Sequence, residues 1–318
     1  MKKTVVINSD FKCVNYDNSA CFLGSCFSEH LFRKMKKTGF KANANPFGVI
    51  FNPLSISDFL FNLNGNWKES IVKRSDLFFS WKANSNVYGE SAEKLNQTLE
   101  KLSVNFKEDL SKSSVLFITF GTAWIYRLKE SNEVVANCHK FPASSFTKEL
   151  LSIEEITKEW NLLLKKMSKD YPNLKIVFTL SPVRHIKDGL IENARSKAIL
   201  LESIHQVIDN NSQAFYFPAF EIIMDEFRDY GFYGKDGIHP NEIAIDEIWE
   251  RFKLTFMSLE TQRIIIEFLK IRNAFEHKLI HPNSVDSKQF IKERESKLAD
   301  FIKKNPNVIS DFLELNNG

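Results

Sequence analysis

The stretch SACFLGSCFSEHLFRKMKK, residues 19–37, decides how the rest of the chain is read. Ala20 to Leu23 form an apolar run of strand length, and Gly24-Ser25-Cys26 makes a sharp turn. Phe27, Leu31, Phe32 and Met35 then recur at helical spacing. Glu29 in the first turn and Arg33, Lys34, Lys36 and Lys37 near the end complement a helix dipole, and Gly39 supplies a stop. Such a strand-turn-helix unit places its turn residues at a helix N-terminus, where free backbone N–H groups favour an anion. A thiol or hydroxyl there is a candidate nucleophile. The competing reading is ordinary α/β punctuation around a buried structural thiol.

Working outward, residues 40–45 read as a short second strand. Asn45-Pro46, Gly48 and Asn52-Pro53 then mark a long ordered loop. A short helix is expected over 55–63, an inserted hairpin turning at N-S-N over 77–88, and a polar-faced helix over 90–110. The runs VLFITF (115–120) and KIVFTL (175–180) are continuously apolar, as in parallel strands buried on both faces. Between them, 125–128 and 134–136 flank K-E-S-N-E as a small hairpin that delivers Asn137-Cys138-His139-Lys140. Ser152 with Glu155 forms a capping box for a helix to about Lys169. A helix over 193–208, a short strand over 214–217, the dense stretch PAFEIIMDEFRDYGFYGKDGIHP (218–240) and a helix from Asn241 to Phe256 follow. Strands alternating with helices predict an α/β three-layer sandwich with a central parallel sheet, flavodoxin-like, whose ligands bind beyond the carboxyl ends of the strands. From about Ser258 the pattern becomes purely helical. Two helices, 260–278 and 287–304, are separated by His281-Pro282-Asn283 and read as a C-terminal helical hairpin (258–318) appended to the α/β domain (1–257), with a homodimer through these helices as one use of it.

Composition narrows the function classes. At 318 residues, 43% hydrophobic and 26% charged, the chain can bury a full core. The net charge of +3 is small and its lysines are scattered, so no nucleic-acid or membrane partner is expected. The 29 phenylalanines read as core material. The basic start MKK lacks the apolar run of a signal peptide, and no long apolar segment suggests a membrane span. Cys13, Cys21, Cys26 and Cys138 show no C-x-x-C spacing, which argues against a structural zinc site and, with no export signal, predicts reduced thiols in a cytoplasmic protein.

Four groups converge on one edge of the expected sheet: Ser25/Cys26, the loop from Asn45 to Gly48, Thr122 with Asn137 and His139, and Asp236-Gly237-Ile238-His239-Pro240. The D-x-x-H spacing puts an Asp and a His in one tight turn. The imidazole can act as general base toward a nucleophile across the cleft while the carboxylate holds its tautomer. Asparagine side chains and the amides of Gly48 and Cys26 are candidate donors to an oxyanion. The plainer readings are a helix-capping His239, an Arg184-His185 pair engaged by Asp188, Glu221, Asp225 or Asp229 instead of substrate, and Trp124, Phe217, Phe220, Tyr230 and Phe232 as core or cleft wall. Cys138-His139 alone cannot make a metal site.

The runs LGSCFSEHL, NPFGVIFNP, FGTAW, VVANCHKFP, SPVRHIKDG, YFPAFEI and FRDYGFYGKDGIHP resemble the GSCFA domain family, part of the SGNH (GDSL-like) hydrolase superfamily, over roughly residues 18–256. The resemblance implies an SGNH hydrolase-like fold and an ester-bond site. The superfamily's G-D-S block falls on Gly24-Ser25-Cys26, so Cys26 takes the nucleophile's register and Ser25 the acidic position. The second-block glycine matches Gly48, and the D-x-x-H matches Asp236 and His239. The third block departs: where G-x-N-D should stand the chain has Gly121-Thr122-Ala123-Trp124, and the oxyanion asparagine is missing unless Asn137 or Asn45 replaces it.

These residues set the expectation of an esterase that removes or transfers a small acyl group on a sugar or similar hydroxylated molecule, needing no cofactor or metal. Cys26 is the preferred nucleophile because a thiol, with a pKa of about 8.5, is the more readily ionised at a helix N-terminus, and Ser25 is the alternative. His239 and Asp236 complete the catalytic set. Gly48, Asn45, Thr122, Asn137, His139, Arg184 and His185 are candidates for oxyanion or substrate contacts. The alternatives are an acyltransferase with a thioester donor, and a non-catalytic binding protein that keeps the cleft.

Overall fold

Alternation of side chains along four apolar strands organises the molecule. The computed structural model describes residues 4–7 and 11–308. Its first strand, β1 (Ser19–Gly24), runs into α1 (Cys26–Lys37) through the single residue Ser25, and β2 (Ala42–Ala44) returns alongside. The loop after β2 leads into α2 (Pro53–Phe61), capped by the Asn52 side chain. A three-stranded insert follows, β3 (Ile71–Arg74), β4 (Leu77–Ser80) and β5 (Tyr88–Gly89), and then α3 (Ala92–Ser111) and β6 (Ser113–Phe120). A second insert, β7 (Trp124–Leu128), β8 (Val134–Val135) and β9 (Phe146–Leu150), precedes α4 (Ile153–Asp170) and β10 (Lys175–Leu180). The chain continues through α5 (Leu190–Asp209), β11 (Ala214–Tyr216), a helical turn α6 (Ala219–Glu221) that widens over Ile222–Glu226, and α7 (Glu242–Phe256). It ends in α8 (Leu259–Glu276) and α9 (Val285–Lys304).

The five central strands pair only in parallel, in the order β11-β10-β6-β1-β2. Because strand side chains point alternately to opposite faces, the sheet builds two apolar layers. Cys21, Leu23, Leu116, Ile118 and Phe178 face a cluster with Phe59, Phe106, Trp160 and Ile204 from α2 to α5. Ala20, Phe22, Val115, Phe117 and Val177 face Phe27, Leu31 and Met35 of α1 with Phe252 and Phe256 of α7. Each such side chain contributes roughly 1.5–3 kcal/mol on burial. The fold is the α/β three-layer sandwich that the alternating pattern implies. Much of the phenylalanine is core, and Phe22 stacks on Phe117 with ring centres 4.9 Å apart. The capping box at Ser152 and Glu155 is present.

The second layer extends into the C-terminal helices. Ile265, Phe268 and Ile271 of α8 and Phe301 of α9 join the cluster that holds α1 and α7, and Arg272 donates to the Lys37 carbonyl at the end of α1, 2.9 Å away. Among the described residues no helix is long and apolar enough to cross a membrane.

Two strands lie outside the sequence expectation. β3 and β9 sit at the edges of their small antiparallel sheets, where exposed residues such as Lys73, Thr147 and Lys148 interrupt an apolar pattern. The first insert therefore turns at Ser75-Asp76, with Ser75 in the left-handed region (φ 53°), and its N-S-N segment lies in the longer connection to β5.

The β1–α1 turn depends on Gly24. Its φ is +126°, and a Cβ placed there would lie 2.1 Å from the Thr119 carbonyl oxygen of β6. A Gly24→Ala substitution therefore combines backbone strain with a clash against a central strand, and is expected to cost on the order of 3 kcal/mol or more. Urea unfolding against wild type measures it; a loss below about 1 kcal/mol would show that the turn relaxes without cost.

Candidate active site

The candidate residues lie at strand ends, in the loops that follow them and at the start of α1. Ser25 caps α1: its hydroxyl accepts from the Phe27 amide at 3.3 Å, its own amide donates to Thr119 O at 3.1 Å, and it is fully buried. Cys26 is the first residue of the helix and only partly buried. Of the two, Cys26 is the one within reach of a ligand. Burial raises the Cys26 thiol pKa and Glu29 adds to this, while the amides of Cys26 and Phe27 and the Lys197 ammonium pull it down. Among the described residues the sulfur makes no side-chain hydrogen bond.

Asn45 fixes the turn from the neighbouring strand. Held at φ 43°, its side chain accepts from the Gly24 amide at 2.9 Å and donates to the Ser28 hydroxyl at 3.2 Å. The Gly48 amide donates to Asn45 O at 2.8 Å. In this conformation both residues brace the loop, the Gly48 amide being engaged within it and one Asn45 N–H by Ser28.

The Asp-His loop is built as a nest of local hydrogen bonds. One Asp236 carboxylate oxygen accepts from the amides of Ile238 and His239, at 2.9 and 3.1 Å, and the other lies 2.7 Å from His239 Nδ1. These bonds, the one to the imidazole first, hold the Asp236 carboxyl down at about 2. With Nδ1 engaged, Nε2 is the ring nitrogen left for proton transfer, and about half of the side chain is exposed. Arg184 clamps this loop. Its guanidinium lies over the rings of Tyr233 and Tyr230, 4.5 and 5.1 Å from their centres, bonds the Tyr230 hydroxyl at 3.1 Å, and its amide donates to Ile238 O at 3.3 Å. The sequence alternatives in which Arg184 pairs with a carboxylate are not those seen. Burial, then Arg33 and His239, lower the pKa of His30, which stands one turn along α1 from Cys26.

Sequence reasoning missed Lys197. It sits on the buried stripe of α5 with Leu200 and Ile204, at i+3 and i+7, and that break in an apolar stripe is the signal that identifies it. Its Nζ is buried and donates to the carbonyls of Gly121 and Ser181, at 2.8 and 2.7 Å, where β6 and β10 end. No carboxylate pairs with it among the described residues, and burial lowers its pKa to about 7. His185 lies in the same neighbourhood. A Cβ on Gly121 would stand 3.2 Å from its Nε2, and burial, reinforced by Lys197 and His239, lowers the His185 pKa to about 4, so it is neutral at physiological pH.

The third-block segment is occupied by the chain itself. The amides of Gly121 and Thr122 both donate to Phe51 O, at 2.8 and 3.2 Å, and the Thr122 hydroxyl contacts Ser196. His139 is buried, bonded through its two ring nitrogens to Ser85 Oγ and Ser80 O at 2.9 and 2.7 Å, and stacked on Phe79. It organises the inserts and is not brought to the Cys26–His239 region. Asn137 accepts from the His139 amide and lines a cleft of about 490 Å³ that begins at Thr122 and His185 and is walled by the second insert. Among the described residues no three His, Cys, Asp or Glu side chains gather in a way that would hold a metal ion.

Lys197 gives the site a distinct pH dependence. Its native pKa, about 7, lies below the ordinary lysine value of 10.5, so between these values the unfolded chain binds more protons and stability rises with pH. The stability gap between wild type and Lys197→Met should change in favour of wild type by up to ~1.4 kcal/mol per pH unit over that window. Urea midpoints from pH 7 to 9.5 read it, and a gap independent of pH would show that Lys197 titrates normally.

Several comparisons bear on this geometry. The chain covers 96% of the psychrotrophic esterase EstA from a Pseudoalteromonas species, with 75% of its own length aligned, 11% identity and a TM-score of 0.34. It also resembles the acetyl xylan esterase Est2A from the rumen bacterium Butyrivibrio proteoclasticus, with 64% of this chain and 55% of that one covered, 13% identity and a TM-score of 0.28. No curated protein matches the sequence. The GSCFA family model matches residues 19–252, from the first residue of β1 into α7, and so takes in Gly24-Ser25-Cys26, the Asn45–Gly48 loop and the Asp236–His239 turn. The chain belongs to the GSCFA family.

Proposed function

We propose that the chain is an ester-bond hydrolase with Cys26 as nucleophile, acting on an acyl group esterified to a hydroxylated small molecule. The observation that carries this reading is the Asp236–His239 pair, 2.7 Å apart, taken together with a partly exposed thiol at the first residue of α1. Cys26 Sγ attacks the acyl carbon as His239 Nε2 takes the thiol proton, and Asp236 stabilises the imidazolium. The same proton passes to the alcohol oxygen as the C–O bond breaks, leaving a thioester on Cys26. Water, deprotonated by His239, then attacks that carbonyl, and the thiolate leaves and is reprotonated. The Cys26 amide at the helix start is the donor we assign to the oxyanion. An acyl acceptor replacing water would make the same site a transferase.

The occupation of the Gly121 and Thr122 amides by Phe51 O favours a second reading, a binding protein that keeps the cleft but does not turn over ester. Labelling at neutral pH with iodoacetamide and, separately, a fluorophosphonate, mapped by peptide mass spectrometry, separates the two. Catalysis requires Cys26 to label well ahead of Cys13, whose thiol burial pushes up to about 12, and that advantage to collapse in His239→Ala. On any ester found to turn over, His239→Ala should lower kcat by ~10²–10⁴ and Cys26→Ala should abolish it, while Ser25→Ala retains activity in the folded fraction. Cys26 labelling indifferent to His239 would leave the binding reading.

A further inference from the structure

The cleft walled by the second insert has a lining that discriminates between ligand classes. Phe51, Trp124, Tyr126, Phe141 and Phe146 give it aromatic walls, with Val135 and Ala136 between them. Its volume, about 490 Å³, lies within the range of pockets that hold small organic ligands. The uncharged polar groups on its lining side chains are Asn52, Thr122, Asn137, Cys138, His185, the Tyr126 hydroxyl and the Trp124 N–H, set among a wider area of ring and aliphatic carbon. A sugar, with a hydroxyl on nearly every carbon, would leave most of its hydrogen-bonding groups facing hydrocarbon here, each costing roughly 1–3 kcal/mol. A flat apolar group has no such demand and gains from ring stacking on these walls.

Charge at the cleft is one-sided. Lys140 and Lys187 line it and are exposed, with Lys187 Nζ 5.8 Å from the centre of the Tyr126 ring. Asp188, the acidic residue of the lining, is already paired with Lys148, whose ammonium lies 4.4 Å from the centre of the Trp124 ring. Burial raises the pKa of the Cys138 thiol on the cleft wall, and Lys187 offsets part of that rise. We propose that this cleft binds the part of the substrate that carries specificity, a planar aromatic group bearing a carboxylate or another anionic substituent, with the aromatic ring between Trp124 and the Phe141–Phe146 side and the anion toward Lys140 and Lys187. The proposal rests on the ester-site reading for the location of the reacting bond. Binding itself does not depend on turnover.

Non-ester probes therefore test it without reference to catalysis. Isothermal titration of the full chain with 1-naphthalenesulfonate and with its neutral isostere 1-naphthalenesulfonamide compares charge at constant shape, and glucose 6-phosphate supplies an anionic sugar. The sulfonate should bind about fivefold or more tightly than the sulfonamide at low salt, with the advantage shrinking as ionic strength rises. Lys140→Gln/Lys187→Gln, a surface change, should erase the advantage while leaving sulfonamide binding intact. Trp124→Ala should weaken both naphthalene ligands about tenfold or more, and Cys26→Ala should change neither. Equal affinity for sulfonate and sulfonamide, indifference to the lysine substitutions, or tighter binding of the sugar phosphate would each overturn the proposal. Binding as expected together with no activated Cys26 would overturn only the ester-hydrolase reading and leave the cleft assignment standing.

Discussion

The contact on which the site depends is the approach of Gly24 to the Thr119 carbonyl. Two parallel strands meet there without a side chain between them, the same carbonyl accepts the Ser25 amide, and Asn45 holds the Gly24 amide from the other side. A glycine is needed because of both the positive φ and the missing Cβ. Once it is in place, α1 can start one residue after β1 ends, and the partial positive charge of its N-terminus lies beside Cys26. Asn45, the residue immediately after the pairing of β2 with β1, thus does for this turn what a backbone ladder does elsewhere: it satisfies a buried donor where the strand has run out.

The second constraint is electrostatic. Burying an ammonium without a carboxylate is expensive, and Lys197 is tolerated because the carbonyls that end β6 and β10 converge on it. Carbonyl-rich strand ends are the negative counterpart of helix N-termini. Neutral His185, with Phe51 and Gly121 packed around it, separates this buried cation from the aromatic cleft.

What could be read from residues alone follows from how locally each feature is encoded. The central strands VLFITF and KIVFTL, the amphipathic α1 and the capping box at Ser152 announce themselves because buried parallel strands and capped helices leave periodic or contiguous signatures. The Asp236–His239 turn was legible for the same reason, both partners lying within four residues. Edge strands β3 and β9 were not, since a half-exposed strand needs only every second residue apolar and tolerates lysine. Residues whose role depends on distant neighbours were the least visible. Lys197 meets carbonyls 76 and 16 positions away, Asn45 reaches back 21 positions to Gly24, and His139 is buried by partners from another insert, 54 and 59 positions earlier.

The bond from Arg272 to the last turn of α1 gives the C-terminal helices a mechanical meaning. At 12 residues and 1.5 Å per residue, α1 is a strut about 18 Å long. Its near end is pinned by Gly24, Ser25 and Asn45, and its far end is tied to α8. A rod fixed at both ends cannot pivot, so the thiol's coordinates are set jointly by the sheet and by a hairpin that lies at the opposite end of the helix from it.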